Sequence, residues 1–228
     1  MKSNRITSDG HSSNTLVSRS QFKPILFSTP MVEAIEAGRK TQTRRLVKFP
    51  KDFDGKEVYQ NGVFGLKYSS SEFEGCIHRL YPKYEIGDIL WVREKWRKND
   101  TPTGFPYHHY ADDTIYTDRD NEKWKPSLFM PKEACRLFLQ VKDIRAEQLQ
   151  KITPKDAERE GIEHLGGDIW KDYMNKKCFP EFMQGSTFTR TSSFKSLWEK
   201  INGVESWEAN PYVWVITFKV VECPQGFC

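Results

Sequence analysis

The chain has 228 residues, with 35 Lys and Arg against 31 Asp and Glu for a net charge of +4. That balance falls short of a protein that coats nucleic acid over its whole surface, so any polyanion contact is local. The length suits one large domain, residues 21–228 with insertions, better than two independent cores. No apolar run approaches the roughly 20 residues needed to cross a bilayer, and Met1-Lys2-Ser3-Asn4-Arg5 leads into polar residues rather than an apolar signal core. Together with an odd cysteine count of five and no Cys-x-x-Cys pair, this points to a cytoplasmic protein with neither a disulfide framework nor a structural zinc site. The nearest approach to metal-ligand spacing, Cys76-Ile77-His78 with His108-His109, lacks a second close pair, so no metal and no cofactor is expected.

Residues 1–20 hold six serines and two asparagines, bury too little apolar surface to offset the entropy of ordering, and read as a flexible tail. Past Phe27, Ser28 and Thr29 offer an N-cap, Pro30 suits a first turn and Gly38 a left-handed stop, which predicts a short helix over 30–37. Met31, Ala34 and Ile35 form its apolar face, and its end delivers Arg39 and Lys40 to a junction. Residues 41–47 follow as a strand whose alternation puts Thr41, Thr43 and Arg45 on one face and Gln42 and Arg44 on the other. No acidic residue lies between Glu36 and Asp52, so the positive charge of Arg39, Lys40, Arg44 and Arg45 is uncompensated in sequence. That makes the block a candidate anion or nucleotide site.

Residues 48–83 show no sustained period and read as an insertion. Gly87-Asp88 turns into a strand over 89–94, with Ile89, Trp91 and Arg93 on one side and Leu90, Val92 and Glu94 on the other. Residues 97–123 are again loop-like, closed by a stretch in which Pro126 and Pro131 favour extended or turn geometry. The clearest alternation is Cys135, Leu137, Leu139 and Val141 against Arg136, Phe138, Gln140 and Lys142. Thr153 as cap, Pro154, Asp156 at the third position and Gly161 as stop define a second short helix with Glu160 at its end. Residues 163–190 read as a further insertion whose aromatics pack as a lid. Ser192 or Ser193 then caps a helix with a core stripe of Phe194, Leu197, Trp198 and Ile201, stopped by Gly203. Residues 212–221 are nearly all β-branched or aromatic, as in a strand covered on both faces or running through a small barrel.

In order, Gly38-Arg39-Lys40-Thr41-Gln42-Thr43-Arg44-Arg45, the strand from Gly87 to Glu94, the helix from Thr153 to Ile162 and the closing strand from Tyr212 resemble the blocks of ASCH domains. Pro126-Ser127-Leu128-Phe129-Met130-Pro131 and the ending from Asn210 to Phe218 resemble the larger, often phage-associated branch of that family. The resemblance implies an α+β fold: a PUA-like small mixed β-barrel flanked by short helices, with a cleft beside the helix-to-strand junction. It further implies RNA or nucleotide binding. One compact bacterial branch, which removes the acyl group from N4-acetylcytidine, resembles this chain at Lys40, Thr43 and Glu160, and by that resemblance these three would be catalytic.

Amide hydrolysis needs a nucleophile, a proton acceptor and donor, and positive charge near the oxyanion. Thr43 would attack, Lys40 would take its proton, Glu160 would pass protons to the leaving amine and Arg45 would orient the carbonyl or a phosphate. Lysine ordinarily titrates near a pKa of about 10.4. The neighbouring arginines push it down toward neutrality, while a nearby Glu160 pushes it up. For nucleotide binding the candidates are Arg39, Thr41, Arg44, Arg45 and Arg93, with Trp124 as a stacking platform. The plainer alternative makes Arg93 a structural strand residue, Trp91, Trp124 and Trp214 core, and Glu160 a solvated helix residue. Three functions therefore compete: RNA or nucleotide recognition, an amidohydrolase acting on a modified nucleoside, and a protein-interaction module using the aromatic 163–190 segment.

Overall fold

The computed structural model describes residues 22–50, 58–61, 65–70, 73–98, 107–109, 124–174 and 189–227. The tail expected over 1–20 lies outside them. In chain order the elements are β1 (Phe22–Leu26), α1 (Thr29–Glu36), β2 (Gln42–Leu46), β3 (Val58–Asn61), β4 (Gly65–Ser70), β5 (Phe73–Leu80) and β6 (Ile89–Arg93). They continue with β7 (Trp96–Lys98), β8 (Tyr107–His109), β9 (Phe138–Gln148), α2 (Pro154–Arg159), β10 (His164–Gly166), β11 (Ile169–Trp170), α3 (Arg190–Asn202) and β12 (Tyr212–Val221).

The architecture is α+β around a five-stranded mixed sheet ordered β1-β6-β9-β12-β2. Only β1 and β6 run parallel; the other neighbours are antiparallel. No pairing between the edge strands β1 and β2 closes the sheet into a barrel among the described residues. The edges nevertheless approach each other, because Arg45 of β2 donates from Nη2 to the Leu26 carbonyl of β1 at 2.7 Å.

Alternation divides the apolar residues between two sides. Leu90, Val92, Trp214, Ile216 and Phe218 enter the largest core, while Val213 and Val215 pack on the opposite side with Phe194, Leu197 and Trp198 of α3. The register of β12 against β9 slips at Lys142, since Thr217 faces Asp143 and Phe218 faces Val141. This bulge moves the core face of β9 from Leu139 and Val141 to Ile144 and Ala146, a change of parity that lets one long strand keep its apolar face inward.

Several expectations are corrected here. Residues 48–83 contain the antiparallel sheet β3-β4-β5, residues 97–123 contribute β8, which pairs with β7, and residues 163–190 open with the β10-β11 hairpin. Strands of only two to eight residues leave no period long enough to read in a sequence. Alternation from residue 135 becomes a strand only at Phe138 and runs on to Gln148; Ala134 and Cys135 belong to a 3-10 turn and its end. The α3 cap is Thr189, whose Oγ1 accepts from the Ser192 amide, because the helix begins earlier than its apolar stripe. Ile201, assigned to that stripe, is 60% exposed.

Gln42 on β2 is fully buried, with neither side-chain amide atom hydrogen-bonded among the described residues. Gln42→Met is therefore expected to raise unfolding free energy by about 1 kcal/mol, since removing an unsatisfied buried amide relieves its desolvation cost while keeping the volume. A urea midpoint unchanged or lowered would show that the amide is satisfied.

Candidate functional site

Two short helices stopped by glycine bring the site together. Helix α1 has Pro30 in its first turn and ends at Glu36; beyond its cap Gly38 takes φ +72°, and the chain turns back so that the Lys40 amide bonds to the Ala34 carbonyl at 2.9 Å. Ser28 occupies the N-cap of α1 without a side-chain cap bond, unlike Thr153, whose Oγ1 accepts from the Asp156 amide at 3.1 Å to start α2. Helix α2 ends at Arg159 with Glu160 as its C-cap; Gly161 follows at φ +86°, and Glu160 makes an isolated antiparallel bridge to Lys40. A Cβ on Gly161 would stand 2.8 Å from the Lys40 Cβ, so the bare backbone here is what permits the approach.

The two side chains meet inside the protein. Lys40, 2% exposed, donates from Nζ to the Glu160 carbonyl at 2.8 Å and to Glu160 Oε2 at 3.0 Å. The other carboxylate oxygen accepts from Arg44 Nη1 at 2.8 Å, and Arg44 Nη2 reaches Glu147 Oε1 at 2.6 Å. Arg145 extends the network, bonding Glu147 Oε2 at 3.1 Å and Asp156 Oδ2 at 2.9 Å. The basic block is uncompensated in sequence but not in space. Lys40 and Arg44 are matched by Glu160, Glu147 and Asp156, acids distant in sequence that the β2-β12-β9 register and α2 carry to them. Burial lowers the Lys40 pKa, Glu160 opposes that by attraction and hydrogen bonding, and Arg45 and Arg44 reinforce it.

Lys40, Arg44 and Glu160 of this network line a cleft of about 420 Å³. Because β2 is an edge strand, the cleft takes side chains from both of its faces: Thr43 and Arg45 from one, Arg44 from the other. Lys40 and Glu160 join them, and Phe27, Met31, Phe194 and Trp198 supply apolar walls. The Lys40 ammonium lies 5.8 Å from the Phe27 ring centroid and Arg44 lies 5.6 Å from that of Phe194. Exposed Arg45 and Lys48 line the same cleft.

The sequence candidates thus divide. Lys40, Thr43, Arg44, Arg45 and Glu160 converge on one cleft; the other four do not line it. Arg39 is exposed and bonds the Gly161 carbonyl at 3.3 Å. Thr41 holds the turn through its backbone, its amide bonding Arg159 and its carbonyl accepting from Phe218. Arg93 lies over the Trp91 ring and donates to the Leu128 carbonyl, as a structural strand residue would. Trp124 lines a separate cavity that shares Phe27 and Ser28 with the cleft, while Trp91 and Trp214 are buried in the core. Sequence reasoning missed Glu147 and Lys48. Glu147 carried a signal only in alternating with Arg145 on a strand that the reading ended at residue 142.

No grouping of three or more His, Cys, Asp or Glu side chains suited to a metal ion occurs among the described residues, and none of their helices is long and apolar enough to cross a membrane. Comparison of the chain with family models, curated proteins and solved structures finds no match in any of the three.

Proposed function

We propose that the cleft binds the base of a nucleoside or nucleotide, free or within RNA, and hydrolyses an acyl amide carried by that base. The observation that supports this most is a buried lysine held by a carboxylate and a carbonyl of the same residue, on the wall of an apolar-sided cleft that Thr43 also lines. A neutral Lys40 amine that donates its two hydrogens to the Glu160 carbonyl and Oε2 keeps a lone pair for a proton. Thr43 Oγ attacks the acyl carbon and passes its proton to Lys40. The carbon–nitrogen bond then breaks, with a proton delivered to the departing amine through the Lys40–Glu160 pair. Water cleaves the resulting threonyl ester, releasing the carboxylic acid and restoring Thr43. Arg45 at the mouth orients the carbonyl or a phosphate.

The resemblance to ASCH domains and their compact N4-acetylcytidine amidohydrolases supports the same three residues. In that reading the curled sheet is a PUA-like barrel left open between β1 and β2. Recognition of RNA or a nucleotide without turnover is the second reading, favoured by Arg45 and Lys48 at the mouth, whose positive charge suits a phosphate.

Incubation with N4-acetylcytidine is expected to yield cytidine and acetate by mass spectrometry. Thr43→Ala and Lys40→Met lower the rate at least about 100-fold, in keeping with removal of a nucleophile or a proton acceptor, and Thr43→Ser retains part of it. Because the Lys40 pKa lies below its ordinary 10.5, the rate rises with pH through a midpoint below that value as the ammonium loses its proton. Cytidine binding without any release of acetate would leave only the recognition reading, and binding of neither compound would overturn both.

A further inference from the structure

A second cavity, of about 400 Å³, lies against the first and shares Leu26, Arg45, Leu46 and Lys48 with it. The Arg45 guanidinium, bonded to the Leu26 carbonyl at 2.7 Å and 5.3 Å from the Phe27 ring centroid, stands where the two spaces meet. Beyond it the second cavity is floored by apolar atoms of Pro24, Trp214 and Ile216, and rimmed by Lys48, Lys83 and Tyr81, the last 62% exposed. Among the described residues no aspartate or glutamate lines it, in contrast to the first cleft, where Glu160 faces Lys40. Exposed lysines beside an exposed aromatic ring over an apolar floor match the chemistry of one strand of nucleic acid, with phosphates on the ammonium groups and bases on the ring.

We propose that the two cavities form one continuous groove for a single-stranded polynucleotide: one base enters the Lys40–Glu160 cleft, Arg45 contacts the phosphate beside it, and a flanking nucleotide occupies the Tyr81–Lys83 side. This rests on the nucleoside-binding reading above and adds to it that the physiological ligand is a residue within a chain.

Fluorescence anisotropy with a labelled heptacytidylate, alongside competition by cytidine monophosphate, tests this. The heptamer is expected to bind at least about 10-fold more tightly than the mononucleotide, as stacking of one further base gives. Tyr81→Ala combined with Lys83→Glu, both at exposed positions, removes most of that gain, shallows the salt dependence and leaves the mononucleotide affinity within about twofold. Equal affinity for the two lengths, or loss of mononucleotide and heptamer binding together in the variant, would overturn the groove while leaving the nucleoside cleft standing. Absence of binding by both ligands to the unaltered protein would overturn the cleft as well.

Discussion

Glu160→Ala is expected to destabilise the protein by about 3–5 kcal/mol, the range for removing one partner of a buried ion pair. Its carboxylate accepts from Lys40 on one oxygen and Arg44 on the other, and Lys40 and Arg44 are 2% and 5% exposed. Among the described residues the variant leaves Lys40 with only the residue-160 carbonyl, while Arg44 keeps Glu147 and Asp156. The loss is pH-dependent in a definite direction. The Lys40 pKa in the folded protein lies below its ordinary 10.5, so between the two values the unfolded chain binds more protons and stability rises with pH. Without the attraction of Glu160 that window widens toward neutrality, and part of the stability lost at pH 7 returns by pH 10. Combining Glu160→Ala with Lys40→Met should cost less than the sum of the two single changes, because the second removes the ammonium that the first orphans. Additive costs in denaturant titrations would show that the pair contributes nothing as a pair.

Gly161→Ala should cost about 2–4 kcal/mol from two causes that add. Any Cβ at φ +86° strains the backbone, and this one meets the Lys40 Cβ at 2.8 Å and the Ala34 Cβ at 3.1 Å. Both neighbours are side-chain stems close to their own backbones, so neither can move aside cheaply. Gly38→Ala is the natural comparison. It sits at φ +72° with nothing within 4 Å of the added carbon, and should lose only about 1 kcal/mol. Under the proposed activity the two variants should also separate in function: Gly161→Ala should displace Lys40 and lower turnover of N4-acetylcytidine, whereas Gly38→Ala should leave the Lys40–Glu160 bridge in place. Equal thermal shifts in the two variants would mean that close approach at residue 161 is not what fixes the lysine.

These two glycines were legible in the sequence, as were the Thr153 cap and the opposite-facing sides of Ile89–Arg93, because each follows from local backbone chemistry. The convergence of Lys40, Thr43 and Glu160 was legible only through the order of motifs resembling a family. What stayed hidden depends on distant pairing. Glu147 reaches Arg44 only because β12 lies between β9 and β2, and the parity change at Lys142 is a bulge that no single-strand pattern announces. A buried, internally neutralised ion network looks in one dimension like an uncompensated run of cations. Ile201 satisfied its helical stripe, yet it is exposed and lines the cleft, since a cleft-lining apolar side chain follows the same spacing as a core one.

Methyl NMR during titration with N4-acetylcytidine tests the central claim most directly. With Thr43→Ala used to block the proposed turnover, the methyl signals of Met31, Leu197 and Ile201, all on the cleft wall, should move together and saturate at one common concentration. The claim is contradicted if these three stay fixed at saturating nucleoside, or if the only signals that move belong to residues away from the cleft.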